Sequence, residues 1–340
     1  MNVPPASAPV SVDLVRSIAQ IDIEAPLRLH FGLLPLGNEG QHRHGGLGVM
    51  VSHPSLHLTI RAPDRTTHPD TRVEQCAARY CAKRSIDPSP AQIECIEMPE
   101  PHIGLGSGTQ LALSIGTLLS LFHERRAPTP LQIAEMMGRG MRSLVGTTGF
   151  ERGGVIWDNG LGDLPGSEEA VDSRHQGVSV HRWPREWCLL LIRRRDASGL
   201  SGSSEQVAFG QLSADGPRRA RLIAMAEDVL LPALAQAAYD SFCNTVYEFG
   251  MECGATFKHQ QGGECFREST RDIVQRLRSD GLRGVGQSSW GPSVYAIFPT
   301  RRDAKEYATS CEWLKNSIFA HSLATAAGAG AQVTVSYEDE

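Results

Sequence analysis

Apolar and polar positions along the chain form short alternating and continuous runs that predict strands and helices in mixed order. Residues 21–31 and 47–61 read as strands; in the second, Leu56, Leu58 and Ile60 alternate with polar neighbours, the period-2 pattern of a half-buried strand. A helix is expected at 70–84, and Gln92-Ile93-Glu94-Cys95-Ile96 alternates again. Residues 111–122 are apolar on almost every face, which predicts a buried helix. A helix at 129–141 precedes a Gly-rich turn and the strand-like Gly154-Val155-Ile156-Trp157. After a polar, Pro- and Gly-containing stretch at 163–186, residues 188–192 have the continuous apolarity of a central strand. Helices are expected at 218–230, 232–250 and 267–280, with Pro232 acceptable at a helix start. A strand at 293–298, a helix at 302–326 and an alternating strand at 331–337 complete the set. No regular βαβ repeat emerges, so the fold class is α+β. Residues 1–18, rich in Pro, Ala and Ser, read as a flexible tail, and the polar stretch divides the remainder into domains at 19–185 and 186–340.

Composition narrows the function classes. The 340 residues are 41% hydrophobic and 21% charged, as in a soluble globular protein with ample core. A net charge of −5 gives no electrostatic reason for a nucleic-acid or membrane partner. Lysine occurs only at positions 83, 258, 305 and 315, so arginine supplies the cations. Arginine suits bidentate binding of phosphate and carboxylate, although genomic base composition produces the same bias. None of the eight cysteines forms a CxxC pair, which argues against zinc-ribbon and thioredoxin chemistry. With no basic-then-apolar leader and no apolar run of membrane-spanning length, a cytoplasmic protein with reduced thiols is expected.

Two glycine-rich segments carry the candidate chemistry. Gly104-Leu105-Gly106-Ser107-Gly108-Thr109-Gln110 leads into the buried helix, where free amides and the helix dipole form an anion site. Ser107 and Thr109 can cap the helix, donate to a phosphate or ligate Mg²⁺. The spacing is neither GxxxxGK[ST] nor GxGxxG, and a capped helix after a tight turn is the plainer alternative. In Gly284-Val285-Gly286-Gln287-Ser288-Ser289-Trp290-Gly291-Pro292, glycines allow close backbone approach, Gln287, Ser288 and Ser289 can hydrogen-bond a ligand, and Trp290 can stack on it. A hairpin with Trp290 as packing anchor accounts for the same residues.

Other candidates are more ambiguous. Arg28 and His30 project from one strand face, either toward an anion or toward solvent. Arg142, Glu151 and Arg152 lie in a Gly-rich setting at 139–154. They form either surface ion pairs or a site in which arginine holds an anionic substrate and Glu151 serves a metal or proton. The segment from Ser198 to Glu205 reads as a lid or as a linker.

Taken in order, Ala25–Gly32, Pro101–Gln110 and Gly284–Pro292 resemble the Pro-x-Arg strand, the phosphate loop and the late Gly-rich loop of the GHMP kinase superfamily. The chain departs from the kinases at Gly108-Thr109, at Gly146, where several members carry a basic aspartate, and at Gln287–Trp290. Those departures are similar to one branch, the β-ribofuranosylaminobenzene 5′-phosphate synthase family. The matching residues are Arg28–Gly32, Gly104–Gly108, Phe150–Gly154, Gln261–Gly263 and, most specifically, Gly284–Pro292. The resemblance implies a two-domain α+β fold, with a ribosomal-protein-S5-domain-2-like half and a ferredoxin-like α/β sandwich. It implies condensation of phosphoribosyl diphosphate with 4-aminobenzoate or 4-hydroxybenzoate, releasing CO₂ and diphosphate, for methanopterin-type carriers. Small-molecule substrates, Mg²⁺ at Ser107 and Thr109, and a homodimer are the expected partners. On this reading Gly104, Gly106, Ser107, Gly108 and Thr109 bind the diphosphate, and Arg28, Arg142 and Arg152 the remaining anionic groups. Gln287, Ser288 and Ser289 hydrogen-bond substrate and Trp290 stacks on the aromatic acceptor, while His30 and Glu151 are the proton-transfer candidates. An ATP-dependent small-molecule kinase and a non-catalytic binder of phosphoribosyl diphosphate are the alternatives.

Overall fold

The computed structural model describes residues 12–13, 16–37, 43–63, 70–87, 91–140, 142–161, 176–199, 207–263 and 265–338. Two long strands, β1 (Ile18–Leu33) and β2 (Gly46–Arg61), form an antiparallel pair at the centre of the first sheet. Their apolar alternation is the signal seen in the sequence: Ile21, Ile23, Leu27 and Leu29 of β1, with Leu56, Leu58 and Ile60 of β2, are fully or almost fully buried. β3 (Gln92–Glu97), β4 (Val155–Asp158) and β5 (Val178–His181) extend the β2 side, and β10 (Gln332–Tyr337) closes the β1 side, giving the order β10-β1-β2-β4-β5 with β3 also on β2. The last strand therefore returns to the sheet in which the chain began.

Helix α1 is Thr71–Arg84 and α2 is Ser107–Glu124; α2 lies against both β1 and β2 and buries nearly every residue from Gln110 to Leu121. That burial is why the segment is apolar all round. α3 spans Pro130–Met136, opened by a Thr129/Gln132 capping box. The expected helix at 129–141 thus ends early, and the Gly-rich turn after it is in fact a helix, α4 (Val145–Arg152). Tertiary packing overrides the poor helix propensity of glycine there. A β-carbon on Gly149 would stand 2.6 Å from Met50 Cγ, so only glycine lets α4 sit this close to β2.

The second sheet has the order β7-β8-β6-β9, where β6 is Cys188–Arg194, β7 Val285–Gln287, β8 Val294–Phe298 and β9 Phe319–Ala324. α5 (Gly216–Ala224) runs through a π-helical turn into α6 (Leu231–Gln236). A break at Ala237, in the left-handed region at φ 52°, then separates α6 from α7 (Tyr239–Thr256). α7 packs on β1 and β7 and so joins the two sheets. α8 (Glu268–Ser279) and α9 (Arg301–Ser310) cover the second sheet. The expected helix at 302–326 is corrected: after α9 the chain makes a 3-10 turn and becomes β9, paired with β6 from Leu189↔Ala324 to Arg194↔Phe319. Ala320, Leu323 and Ala324 suit a helix equally well; the backbone groups of β6 claim them for the sheet.

Candidate functional site

The two glycine-rich segments meet on β1. The Arg28 N–H donates to Leu105 O at 3.0 Å, the His30 N–H to Ser288 Oγ at 3.0 Å, and the Ser289 N–H to His30 O at 3.2 Å. Ser288 Oγ donates in turn to Gly104 O at 2.8 Å, tying the two loops to each other as well.

Around the first segment the geometry suits an anion. Gly106, at φ 68°, is the N-cap of the 18-residue α2 and offers no side-chain cap, so the first N–H groups of the helix are left for a ligand. A β-carbon on Gly106 would stand 3.2 Å from Arg28 Nε. One on Gly108 would stand 3.7 Å from an Arg139 guanidinium nitrogen, placing a second cation over the loop. The first turn of α4 faces the same point: a β-carbon on Gly146 would lie 3.6 Å from Thr109 Cγ2 and 3.7 Å from Arg28 Cδ. Two helix N-termini and two arginines thus surround a run of residues small enough to let a charged group approach. Ser107 and Thr109 are half-buried, and their hydroxyls make no hydrogen bond to protein among the described residues. Gln110, fully buried, donates its amide to Gly146 O at 3.0 Å and leaves Oε1 without a partner.

The second segment is different in kind. Gln287 Nε2 donates to Gln261 Oε1 at 2.9 Å and to Ser289 O at 2.8 Å, while its Oε1 accepts from the Arg267 N–H at 3.0 Å and from the Thr270 hydroxyl. All the hydrogen-bonding capacity of that amide is taken up by protein. Ser288 is fully buried and doubly bonded as described. The Trp290 ring is packed edge-on against Phe257 (4.6 Å between centroids) and Phe209 (5.3 Å), and only 6% of the residue is exposed. Phe209 also stacks under the Arg142 guanidinium at 3.8 Å and meets the His44 ring at 5.3 Å. The sequence carried no signal for Phe209 or Arg139, because both reach the site only through the packing of distant segments.

His30 is 1% exposed, and its Nε2 has no hydrogen-bond partner. Burial, reinforced by the Arg28 charge, holds its pKa well below the usual histidine range, so the ring is neutral. His44 is lowered to about 4, chiefly by burial, with Arg142 and Arg219 adding to the effect and a hydrogen bond to Leu34 O opposing it. A buried ion pair supports the site from behind. Arg43 Nη1 donates to Asp158 Oδ2 at 2.7 Å, and Asp158 also accepts the Leu144 N–H at 2.8 Å and the Gly160 N–H at 2.9 Å. Asp158 therefore fixes the residue that opens α4.

The structure does not bring every candidate to one place. Glu151 and Arg152 occupy the last turn of α4, ~10 Å along the helix from Val145. That end packs on the connection before β10, where the Ala331 N–H donates to Phe150 O at 2.7 Å. Most of the Ser198–Glu205 segment lies outside the described residues; Gly199 donates its N–H to His102 O at 2.7 Å. No group of three or more His, Cys, Asp and Glu residues placed to hold a metal occurs among the described residues. No helix among them is long and apolar enough to cross a membrane.

No protein-family model matches the chain. It is similar to the Beta-ribofuranosylphenol 5'-phosphate synthase of Methanothermobacter thermautotrophicus, 28% identical over 306 residues that cover 82% of this chain and 89% of the relative. A protein of the same name from Archaeoglobus fulgidus is 29% identical over 297 residues, covering 81% and 87%. Among solved structures, a homoserine kinase from Cytophaga hutchinsonii superposes with a TM-score of 0.58 at 12% identity, over 95% of this chain and all of that one. Mevalonate pyrophosphate decarboxylase from Streptococcus pyogenes gives 0.60 at 11% identity, over 92% and 98%. The fold is that of the GHMP kinases, and the likeness to the Beta-ribofuranosylphenol 5'-phosphate synthases runs through four fifths of the chain.

Proposed function

We propose that the chain is a synthase that condenses phosphoribosyl diphosphate with a 4-substituted benzoate, releasing CO₂ and diphosphate and forming a C-riboside 5′-phosphate for a methanopterin-type carrier. The observation that carries this reading is the convergence of two helix N-termini, Arg28 and Arg139 on a loop of small residues, which the Ser288 hydroxyl ties to the segment whose Gln287, Ser289 and Trp290 line an aromatic-walled cavity. The bond between C1 of the ribose and the diphosphate oxygen breaks, and its electron pair leaves with diphosphate. Amides of Ser107 and Gly108 and the guanidinium groups of Arg28 and Arg139 stabilise that developing charge. The ring carbon bearing the carboxylate bonds to C1; loss of CO₂ then returns the electron pair to the ring and restores aromaticity. Neutral, buried His30 is better suited to donate or accept a hydrogen bond than to act as a strong base. Glu151 and Arg152 lie at the far end of α4, and Arg142 stacks over Phe209, which packs on Trp290 of the cavity wall.

Hydroxyls and amides, without a carboxylate cluster, fit a cation that arrives bound mainly to diphosphate oxygens and water, with Ser107 and Thr109 as its protein contacts. Mg²⁺ so held would neutralise the leaving group. Glycine at 146, beside Thr109, Arg28 and Gln110, leaves no carboxylate to deprotonate a kinase acceptor there, which favours the synthase over an ATP-dependent kinase. The name of the relatives makes 4-hydroxybenzoate the first acceptor to try, and 4-aminobenzoate the second. The test is coupled release of diphosphate and of CO₂ from carboxyl-labelled acceptor with phosphoribosyl diphosphate and Mg²⁺, run beside ATP as donor. Both products with the sugar diphosphate and neither with ATP is the expected result. Transfer from ATP instead would revive the kinase, and donor binding without turnover would leave a binding protein.

A further inference from the structure

The Gly104–Gln110 loop is held at both ends, and its unspent residues stand between the ties. At its start Leu105 O accepts the Arg28 N–H at 3.0 Å and Gly104 O accepts the Ser288 hydroxyl at 2.8 Å. At its end is Gln110, the fourth residue of α2, which is fully buried. Gln110 Nε2 donates to Gly146 O at 3.0 Å, in the first turn of α4. That hydrogen bond joins the first turns of the two helices whose N-termini converge on the loop. On the α4 side the opening amides are used within the protein. The Leu144 N–H donates to Asp158 Oδ2 at 2.8 Å and the Val145 N–H to Ser143 Oγ at 3.2 Å. The next two, of Gly146 and Thr147, make no hydrogen bond among the described residues. Gly146 C=O and the Thr147 N–H belong to one planar peptide, so Gln110 grips the group through which α4 can meet an anion.

Only half of the Gln110 amide is used. Its Oε1 is buried with no partner, a cost that an apolar side chain of the same length would avoid. What the residue contributes is therefore the link to Gly146. Two positive helix ends repel each other until an anion lies between them, and their influence fades beyond the first turn. Their spacing consequently needs a tie. We propose that Gln110 is a positioning residue of the donor site: its bond to Gly146 sets the spacing of the two helix ends, so that one diphosphate group engages both. The inference rests on the condensation reading above. It gives the two phosphoryl groups of the leaving group different partners. The Ser107 and Gly108 amides of α2 take one, and the Gly146 and Thr147 amides of α4 take the other.

The experiment uses the full chain with Gln110→Met, which keeps length and removes the unpartnered acceptor, and Gln110→Glu, which keeps shape but at neutral pH has no N–H to donate. Binding of inorganic diphosphate and of inorganic phosphate, each with Mg²⁺, is measured by calorimetry. Tm and the separate KM values for phosphoribosyl diphosphate and 4-hydroxybenzoate are measured in parallel. Both variants should bind diphosphate about tenfold more weakly or worse, because a small misplacement of paired contacts is costly. Phosphate, which one helix end can hold, should change little. The donor KM should rise with diphosphate affinity while the acceptor KM stays near that of the wild type. Gln110→Met should keep its Tm. Equal weakening of diphosphate, phosphate and acceptor together with a lower Tm would mark a merely structural residue and overturn the assignment. Unchanged diphosphate affinity in both variants would overturn it too, leaving the synthase reading intact. A wild type that neither binds diphosphate nor turns over phosphoribosyl diphosphate would overturn both.

Discussion

The Gly104–Gln110 and Gly284–Pro292 segments look alike in sequence, each rich in glycine and small polar residues, yet they use those residues in opposite ways. In the first, the helix N-terminal amides and the hydroxyls of Ser107 and Thr109 are not spent on the protein, and two arginines stand over them. In the second, Gln287 and Ser288 are fully spent within the protein and Trp290 is a packed ring. The most distinctive stretch of sequence is therefore mainly the frame that holds the Gly104–Gln110 loop on β1 and forms part of the wall of the aromatic-lined cavity. Its specificity as a signature comes from packing constraints, which are as exacting as ligand contacts.

Breaking the frame should cost stability first. Trp290→Ala removes a buried ring between Phe209 and Phe257 and should destabilise the protein by ~3–5 kcal/mol, read as a fall in denaturation midpoint together with poorer acceptor use. An unchanged midpoint would mean the ring is not part of the frame. Acidification should have the next largest effect. The folded-state pKa of His44 is depressed to about 4, so its contribution is complete above pH 6.5 and is lost as pH falls from 6.5 toward 4. His30 acts in the same direction. The wild type should lose roughly 3 kcal/mol over that window on account of His44, and His44→Gln should lose less in paired melts at pH 7 and 5.

Ser288→Ala strands the Gly104 carbonyl and the His30 N–H and should cost ~1–3 kcal/mol. Unlike Trp290→Ala, it should raise the KM for the sugar diphosphate, because the phosphate loop loses its tie. Gly106→Ala forces a side chain into φ 68° and toward Arg28, so about 1 kcal/mol of strain should accompany a clear loss of donor affinity. Ser107→Ala is the sharpest contrast: a midpoint within ~0.5 kcal/mol of wild type, with slower diphosphate release. A large loss of stability in Ser107→Ala would erase the distinction between the two loops.

The sequence determined the α+β class, the paired strands β1 and β2, the buried helix after the phosphate loop and the likeness to the synthases. Each of these rests on local patterns: period-2 alternation, all-round apolarity, a glycine run with a cap. It was silent where distant residues compete for one backbone segment. The end of the expected helix at 302–326 became β9 because β6 supplied partners, and α4 packs against β2 only because Gly149 leaves the space that Met50 fills. Tertiary structure alone placed Arg139 over Gly108 and Phe209 under Arg142. It likewise carried Glu151 and Arg152 to the far end of α4. Side-chain type states what a residue is able to bind; only packing decides whether that capacity is used within the protein or left for a ligand.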